Sequence, residues 1–126
     1  MSLLKLSKSS KRGKTRSHAH APKQEGKTAK RLGGRTTKAS GALDEKGDVR
    51  VPGVVRIECK CTKNKSFSVT QDMVRKIEEA ALGSGEIPAI EVQFIDEHGK
   101  VISSVAVMPV SGLDMIVNYA TTAQDT

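Results

Sequence analysis

Hydrophobic positions along this chain recur with two different periods. In the central segment, positions 55 to 61, apolar and polar residues alternate, which is typical of a strand. Since successive strand side chains point to opposite faces, one face carries Val55, Ile57, Cys59 and Cys61, and the other carries Arg56, Glu58 and Lys60. Pro52 and Gly53 predict a turn before this strand, so the strand is expected to form a hairpin with a preceding strand near Asp48.

Helical spacing replaces this alternation further along the chain. Apolar residues from about Gln71 to Leu82 fall on one stripe, with Thr70 as the predicted N-cap and Gly83 as the predicted end. Two more strands are predicted over 87–95 and 101–108, joined as a hairpin by the polar turn 96–99.

The chain on either side completes the predicted architecture. A short helix from Lys23 is expected to bury Ala29 and Leu32 and to stop at Gly33 and Gly34. A short strand over 35–38 and a loop follow it. At the other end, Ser111 is expected to cap a last helix that frays after Ala120. The predicted order is α-β-β-β-α-β-β-α, an α/β fold with a central mixed five-stranded sheet flanked by helices.

Charge divides the chain into unequal parts. The net charge is +7 over 126 residues, but residues 1–40 carry twelve Lys or Arg against one acid, Glu25, while the remainder carries nine basic and thirteen acidic residues. We therefore expect a flexible basic arm over 1–22, one folded domain over 23–120 and a frayed tail over 121–126. A basic arm ahead of a mildly acidic domain indicates a polyanionic partner, DNA or RNA.

Other functional classes are disfavoured by composition. No apolar run approaches the eighteen or so residues of a membrane span, so no membrane partner is predicted. Cys59 and Cys61 lie two apart on one strand face, too parallel for an unstrained disulfide, and no histidine or second cysteine pair completes a zinc site. They are interpreted as thiols of a cytoplasmic, reducing compartment. Trp is absent, so base stacking on aromatic side chains is not an evident binding mode.

The central hairpin carries the candidate chemistry. Asp48 is expected on the arm opposite Glu58, with its carboxylate aimed at the same point. Two converging carboxylates repel unless a cation lies between them, and oxygen ligands favour Mg²⁺ or Mn²⁺. Lys60 shares the face of Glu58 and could orient a water molecule or stabilise developing charge. The simpler interpretation is a same-face ion pair on a solvated strand.

Several further positions could join this centre. Glu25 is the lone acid of the basic half, either favourable to the helix dipole or recruited by a metal or phosphate site. Gln71 begins a helix and could face the carboxylates. Ser40, with its neighbouring glycines, brings backbone close to the site, and Asp44 and Glu45 are weaker, loop-borne alternatives to Asp48.

Taken in order, these features resemble the PD-(D/E)XK nuclease superfamily and, within it, the Holliday junction resolvases of archaeal and phage type. The resemblance covers about residues 23–110. It rests on Glu25 before AKRLGGR, SGA at positions 40–42, GDV with Asp48, ECK with Glu58 and Lys60, and Gln71. One departure is the absence of a proline before Asp48. The resemblance implies a restriction-endonuclease-like core and a metal-dependent phosphodiesterase that cuts branched DNA, such as four-way junctions, as a homodimer.

The resemblance also assigns roles to residues. Asp48 and Glu58 would hold Mg²⁺, with the backbone carbonyl of Cys59 as a further ligand and Glu25 acting through water. Lys60 would position the nucleophile, with Gln71 beside it. Phosphate contacts would come from Lys11, Arg12, Lys14, Arg16, Lys27, Lys30, Arg31, Arg35 and Ser40. Alternatives are a non-enzymatic basic DNA- or RNA-binding protein, a ribosome-associated factor, or another PD-(D/E)XK nuclease, for example one of restriction type. The binding-only alternatives predict no metal-dependent cleavage.

Overall fold

The computed structural model of the protein describes residues 23–37 and 48–125, with Asp48 described through its backbone only. The first helix, α1, covers residues 23–32. The remaining elements follow in the order β1 Arg35–Thr36, β2 Asp48–Val51, β3 Val55–Thr62, α2 Gln71–Leu82, β4 Ile87–Ile95, β5 Val101–Val107 and α3 Val110–Asp125. This order, and the α/β fold that it forms, confirm the prediction.

The five strands form one mixed sheet in the order β1-β2-β3-β4-β5. Neighbouring strands are antiparallel except β3 and β4, which are parallel because α2 connects them as a crossover helix. Since α2 leaves the end of β3 and returns to the start of β4, its N-terminus lies at the carboxyl ends of the two parallel strands.

Each face of the sheet has its own core. On one face, Ala29 of α1 packs with Val49, Ile57, Cys59 and Ala89. On the other, Ile77 of α2 packs with a second set, namely Ile90 and Val92, with Met73, Phe67, Phe94 and Val107 at its margin. The face that carries Arg56, Glu58 and Lys60 is therefore covered by α2 and is not an open, solvated surface.

A buried ion pair fastens the β2–β3 hairpin to the start of β4. The Glu86 side chain is fully buried and receives Arg50, whose Nε lies 2.9 Å from Oε2. The Gly53 N–H in the hairpin turn donates to the same oxygen at 3.0 Å, and the Ser84 hydroxyl donates to Oε1 at 2.7 Å. The carboxylate thus connects β2, the turn and the α2–β4 loop.

Several element boundaries differ from the prediction. Leu32 is 40 % exposed, and α1 instead buries Gln24 and Thr28 with Ala29, because its inward stripe begins one residue earlier. Gly33 ends this helix as expected, with a φ of 73°. β1 ends at Thr36, short of the predicted 38.

The C-terminal helix is longer than predicted. It begins at Val110 and runs to Asp125, so residues 121–125 are helical and not frayed. No glycine or proline interrupts the chain after Gly112, and the Thr122 hydroxyl donates to the Asn118 carbonyl one turn earlier. Ser111 lies inside the first turn and donates to Glu78, so it is not the cap. Among the described helices, none is both long and apolar enough to cross a membrane.

Candidate functional site

Glu58 and Lys60 lie side by side on the face of β3 that α2 covers. The Lys60 Nζ is 4.0 Å from Glu58 Oε1, and the two side chains are only 19 % and 18 % exposed. Their β4 neighbours in the register are Ile90 and Val92, which are fully buried and apolar. A charged pair beside such neighbours interacts more strongly than one in bulk water, because the local dielectric is lower.

Asp48 occupies the position directly opposite Glu58. The two residues are Cα partners in the antiparallel pairing of β2 with β3. Directly opposed residues on antiparallel strands belong to the same face, with Cβ atoms about 4.5–5.5 Å apart. The backbone therefore places Asp48, Glu58 and Lys60 on one face, as the alternation of the sequence predicted.

The N-terminus of α2 adjoins the carboxyl end of β3. Gln71 is the first residue of the helix and is exposed. Thr70 caps it as predicted, since its hydroxyl accepts the Met73 N–H at 3.2 Å. The partial positive charge of a helix N-terminus is thus directed to the end of the sheet where Lys60 lies. Gly83 follows the helix, but with a φ of −64° it does not adopt the left-handed conformation typical of such a cap.

Glu25 is positioned on the opposite side of the sheet. Its neighbours Gln24, Thr28 and Ala29 all pack on the face that carries Cys59. Glu25 itself is half-buried. A contribution of Glu25 through water to a centre on the Glu58 face would therefore have to come from the opposite side of the sheet.

The predicted phosphate-binding residues lie partly on exposed surface and partly outside the described residues. Lys27, Lys30 and Arg35 are exposed, and Arg31 binds the buried carboxylate of Glu91 at 3.2 Å while staying 57 % exposed. The predicted basic arm over 1–22, with Lys11, Arg12, Lys14 and Arg16, lies outside the described residues. So do Ser40, Asp44 and Glu45.

The side chains of the two cysteines lie on the α1 face, opposite Glu58, and are not joined in a disulfide. Cys59 is buried in the core beside Ala29. Burial raises the pKa of the Cys61 thiol, and the neighbouring Lys60 charge offsets only part of that rise. A thiol with a raised pKa stays protonated at neutral pH and is a poor nucleophile and metal ligand.

Within the described residues, no group of three or more His, Cys, Asp or Glu side chains converges as a metal site. A centre at β2 and β3 would therefore rest on two carboxylates, of Asp48 and Glu58, with further ligands from backbone or water. Such a donor set consists of oxygen atoms, which suits Mg²⁺ or Mn²⁺ and not a thiolate-preferring metal.

Two buried acids were not predicted from the sequence. Glu86 and Glu91 are 1 % and 5 % exposed, and both bind arginine. The sequence contained a signal for both acids, because they flank four consecutive non-polar residues, IPAI at 87–90. Such a run indicates a strand buried on both faces, where an acid has to be paired.

Comparisons with known proteins found no matching family model, no matching curated protein and no matching solved structure.

Proposed function

We propose that this chain is a metal-dependent, structure-selective DNA endonuclease of the PD-(D/E)XK type, acting on branched DNA such as four-way junctions. One observation carries the proposal. Asp48 and Glu58 are register partners on adjacent strands, and Lys60 lies 4.0 Å from Glu58 on the same face. The order of elements, with a helix bearing Glu25 before the hairpin and Gln71 at the start of α2, agrees with the family resemblance.

The donor set of this face fits a hard divalent cation. Asp48 and Glu58 would hold Mg²⁺ or Mn²⁺, with the Cys59 backbone carbonyl as a further ligand and Glu25 reached through water. When bound, such an ion polarises the phosphoryl group and makes a bound water nucleophilic at neutral pH.

The other catalytic roles belong to side chains of the protein. Lys60 donates hydrogen bonds that orient the attacking water and neutralise charge on the phosphoryl oxygens. Its side chain is largely buried beside Val92 of β4, which favours a fixed geometry. Gln71 lies at the same end of the sheet and can hold the water or a phosphate oxygen from the other side.

Basic residues outside this face are suited to contact DNA phosphates without reading the base sequence. Lys27, Lys30 and Arg35 are exposed on the α1 and β1 side and can bind backbone phosphates. The arm residues Lys11, Arg12, Lys14 and Arg16 would add charge to that contact. Such contacts position DNA without reading sequence, so selection would follow the shape of the substrate.

We further propose a homodimer, because cutting two opposed strands of a junction requires two sites. β5 is an edge strand whose sequence, VISSVAV, has no charge and no proline, and six of its seven residues are exposed. Ile102 is 69 % exposed and Leu113 of α3 is 52 % exposed. A long, apolar edge strand without protective charges is an association surface, and two antiparallel copies of β5 would satisfy a two-fold axis.

Light scattering on the purified chain tests the dimer. Ile102→Lys should shift the mass from dimer to monomer, because the new charge lies on the edge that pairs. Val54→Lys is the matched control, since Val54 is 52 % exposed in the hairpin turn, away from β5. A wild-type protein that is monomeric at micromolar concentration would refute this part of the proposal.

The catalytic proposal is tested by incubating the full chain with a four-way junction and a matched linear duplex, with Mg²⁺ and with EDTA. Junction cleavage should need Mg²⁺, and Glu58→Gln should lower its rate by orders of magnitude while junction binding in EDTA persists. Glu79→Gln, an exposed acid on α2, is the control and should cleave normally. Wild-type cleavage by Glu58→Gln, or binding without any metal-dependent cleavage by the wild type, would overturn the assignment.

A further inference from the structure

A cleft of about 780 Å³ lies at the carboxyl ends of the parallel strands β3 and β4. Three separate segments form its walls: the start of α1, the loop after β3, and the turn between β4 and β5. Ligands of open α/β sheets bind outside the carboxyl ends of the strands, where connecting segments diverge. The position of this cleft therefore makes it a candidate binding site separate from the Glu58 face.

The lining of the cleft is strongly positive. Four lysines reach it from positions distant in sequence, Lys23, Lys27, Lys63 and Lys100, against the single carboxylate of Glu97. In the described part of the chain, none of these lysines forms an ion pair, whereas Arg31, Arg50, Arg75 and Lys76 each bind a carboxylate. Like charges brought together without a partner repel, and a bound anion would remove that repulsion.

The inner part of the cleft is uncharged. It is lined by Gln24 and Gln93, which are only 1 % and 7 % exposed, and by the apolar side chain of Ile95. Both amides are oriented by Glu91: the Gln24 Nε2 donates to its backbone carbonyl at 3.1 Å, and the Gln93 Nε2 donates to Oε1 at 3.4 Å.

Glu91 does not weaken the positive character of the cleft. Its carboxylate accepts the Thr28 hydroxyl at 2.7 Å and pairs with Arg31, and it is not among the residues that line the cleft. In addition, the Gln24 Oε1 atom is buried without a hydrogen-bond partner among the described residues. A buried acceptor of this kind needs a donor such as water, and since a phosphodiester has no donor, this atom does not contribute to anion binding.

The cleft lies on the α1 side of the sheet, opposite the Glu58 face, and the two meet at the carboxyl end of β3. Lys63 follows Lys60 by three residues, just past the end of β3. DNA that contacts both the cleft and the Glu58 face therefore has to pass the carboxyl end of β3.

We propose that this cleft binds backbone phosphodiester groups of DNA, with Lys23, Lys27, Lys63 and Lys100 as the phosphate ligands. The choice of DNA as the ligand rests on the proposed function, but the binding itself requires neither metal nor cleavage. The cleft holds DNA on the side of the sheet opposite the Glu58 face, at the carboxyl ends of β3 and β4.

Lysine acetylation footprinting of the wild-type chain in EDTA tests this directly. Saturating four-way junction should slow acetylation of Lys63 and Lys100 at least fivefold. Lys76, which is exposed on α2 and paired with Asp72, should react at an unchanged rate. Unchanged reactivity of Lys63 and Lys100 with DNA bound would overturn the proposal. Protection by millimolar inorganic phosphate but not by DNA would overturn it too, since the cleft would then take only a small anion.

A matched pair of double variants gives the second readout. Lys63→Gln with Lys100→Gln should raise the Kd for the junction and reduce the slope of log K against log[NaCl] by about two, because each lost phosphate contact removes about 0.9. Arg75→Gln with Lys76→Gln removes the same charge from α2 and should change the slope by less than half a unit. Equal slopes for the two variants would refute the cleft.

The two proposals fail separately in these experiments. If DNA does not protect Lys63 and Lys100 but cleavage still depends on Glu58, only the cleft assignment is wrong. A footprint on a protein that never cleaves in Mg²⁺ retains the cleft as a DNA-binding site and removes the catalytic assignment.

Discussion

Replacing Glu86 by glutamine should destabilise the protein and disturb the hairpin that carries the candidate catalytic residues. The Glu86 carboxylate is bound by Arg50 of β2, by the Gly53 N–H in the turn and by the Ser84 hydroxyl. Glutamine keeps the size of the side chain but loses its charge and one of its two acceptor oxygens. Arg50 would then be left without its carboxylate in a largely buried position.

The magnitude follows from burial. Removing one partner of a buried ion pair costs about 3–5 kcal/mol. The Glu86 side chain is 0 % exposed, but that of Arg50 is 23 % exposed and can recover some hydration, which favours the lower end, about 3 kcal/mol. Because domains unfold with about 5–15 kcal/mol, the variant should still fold.

The effect should depend on pH with a defined sign. Burial raises the pKa of Glu86, but hydrogen bonds from Arg50, Ser84 and Gly53 and the charge of Arg50 outweigh it, so the pKa lies below its ordinary 4.5. A carboxyl with a lowered folded-state pKa stabilises the protein above pH 4.5 and loses that contribution as pH falls through the folded-state value. The difference between wild type and Glu86→Gln should therefore be constant near neutrality and shrink below pH 4.5.

Urea unfolding followed by far-ultraviolet circular dichroism at several pH values measures both effects. Glu79→Gln, on the exposed side of α2, is the control and should change stability by less than about 0.5 kcal/mol. A loss below about 1 kcal/mol for Glu86→Gln, or a loss that does not shrink in acid, would refute the assignment of this ion pair as a stabilising link. Cleavage by the variant reports whether the same link holds the register of β2 on β3.

Three further outcomes are expected. Gly34→Ala should destabilise the protein by about 1–3 kcal/mol, because the added Cβ would clash with the Arg50 carbonyl. Gly26→Ala lies in open space on α1 and should stabilise the protein by about 1 kcal/mol, and urea unfolding compares the two variants. Lys60→Ala should reduce junction cleavage by orders of magnitude with little change in binding in EDTA, and equal cleavage rates would contradict its role. Neutralising the arm residues Lys11, Arg12, Lys14 and Arg16 should weaken binding to all DNAs alike and reduce the slope of log K against log[NaCl] by about one per lost contact. Fluorescence anisotropy across NaCl concentrations measures this slope. An unchanged slope would show that the charge of the arm serves another purpose.

Local pattern determined much of this fold. The two-residue alternation in β3 separated Ile57 and Cys59 from Glu58 and Lys60, and the structure keeps those faces. The stripe of α2, its Thr70 cap and the bounds of β4 were also readable, because propensity, capping and hydrophobic period agreed within each short segment.

The boundaries that failed are those where local signals were weak. Leu32 lies at the end of α1, where packing on the sheet and not the apolar character of the residue decides burial. Fraying after Ala120 was predicted although no glycine or proline follows Gly112, and the helix continues to Asp125.

Tertiary structure decided what the sequence could not. The pairing of Asp48 with Glu58 depends on where the hairpin turn closes, and the burial of the Glu58 face depends on α2 packing there. The lysines of the cleft are up to 77 positions apart and come together only when β3 and β4 pair in parallel. Periodicity reports which residues share a face of one element, but contacts between elements depend on the strand order and register that long-range packing selects.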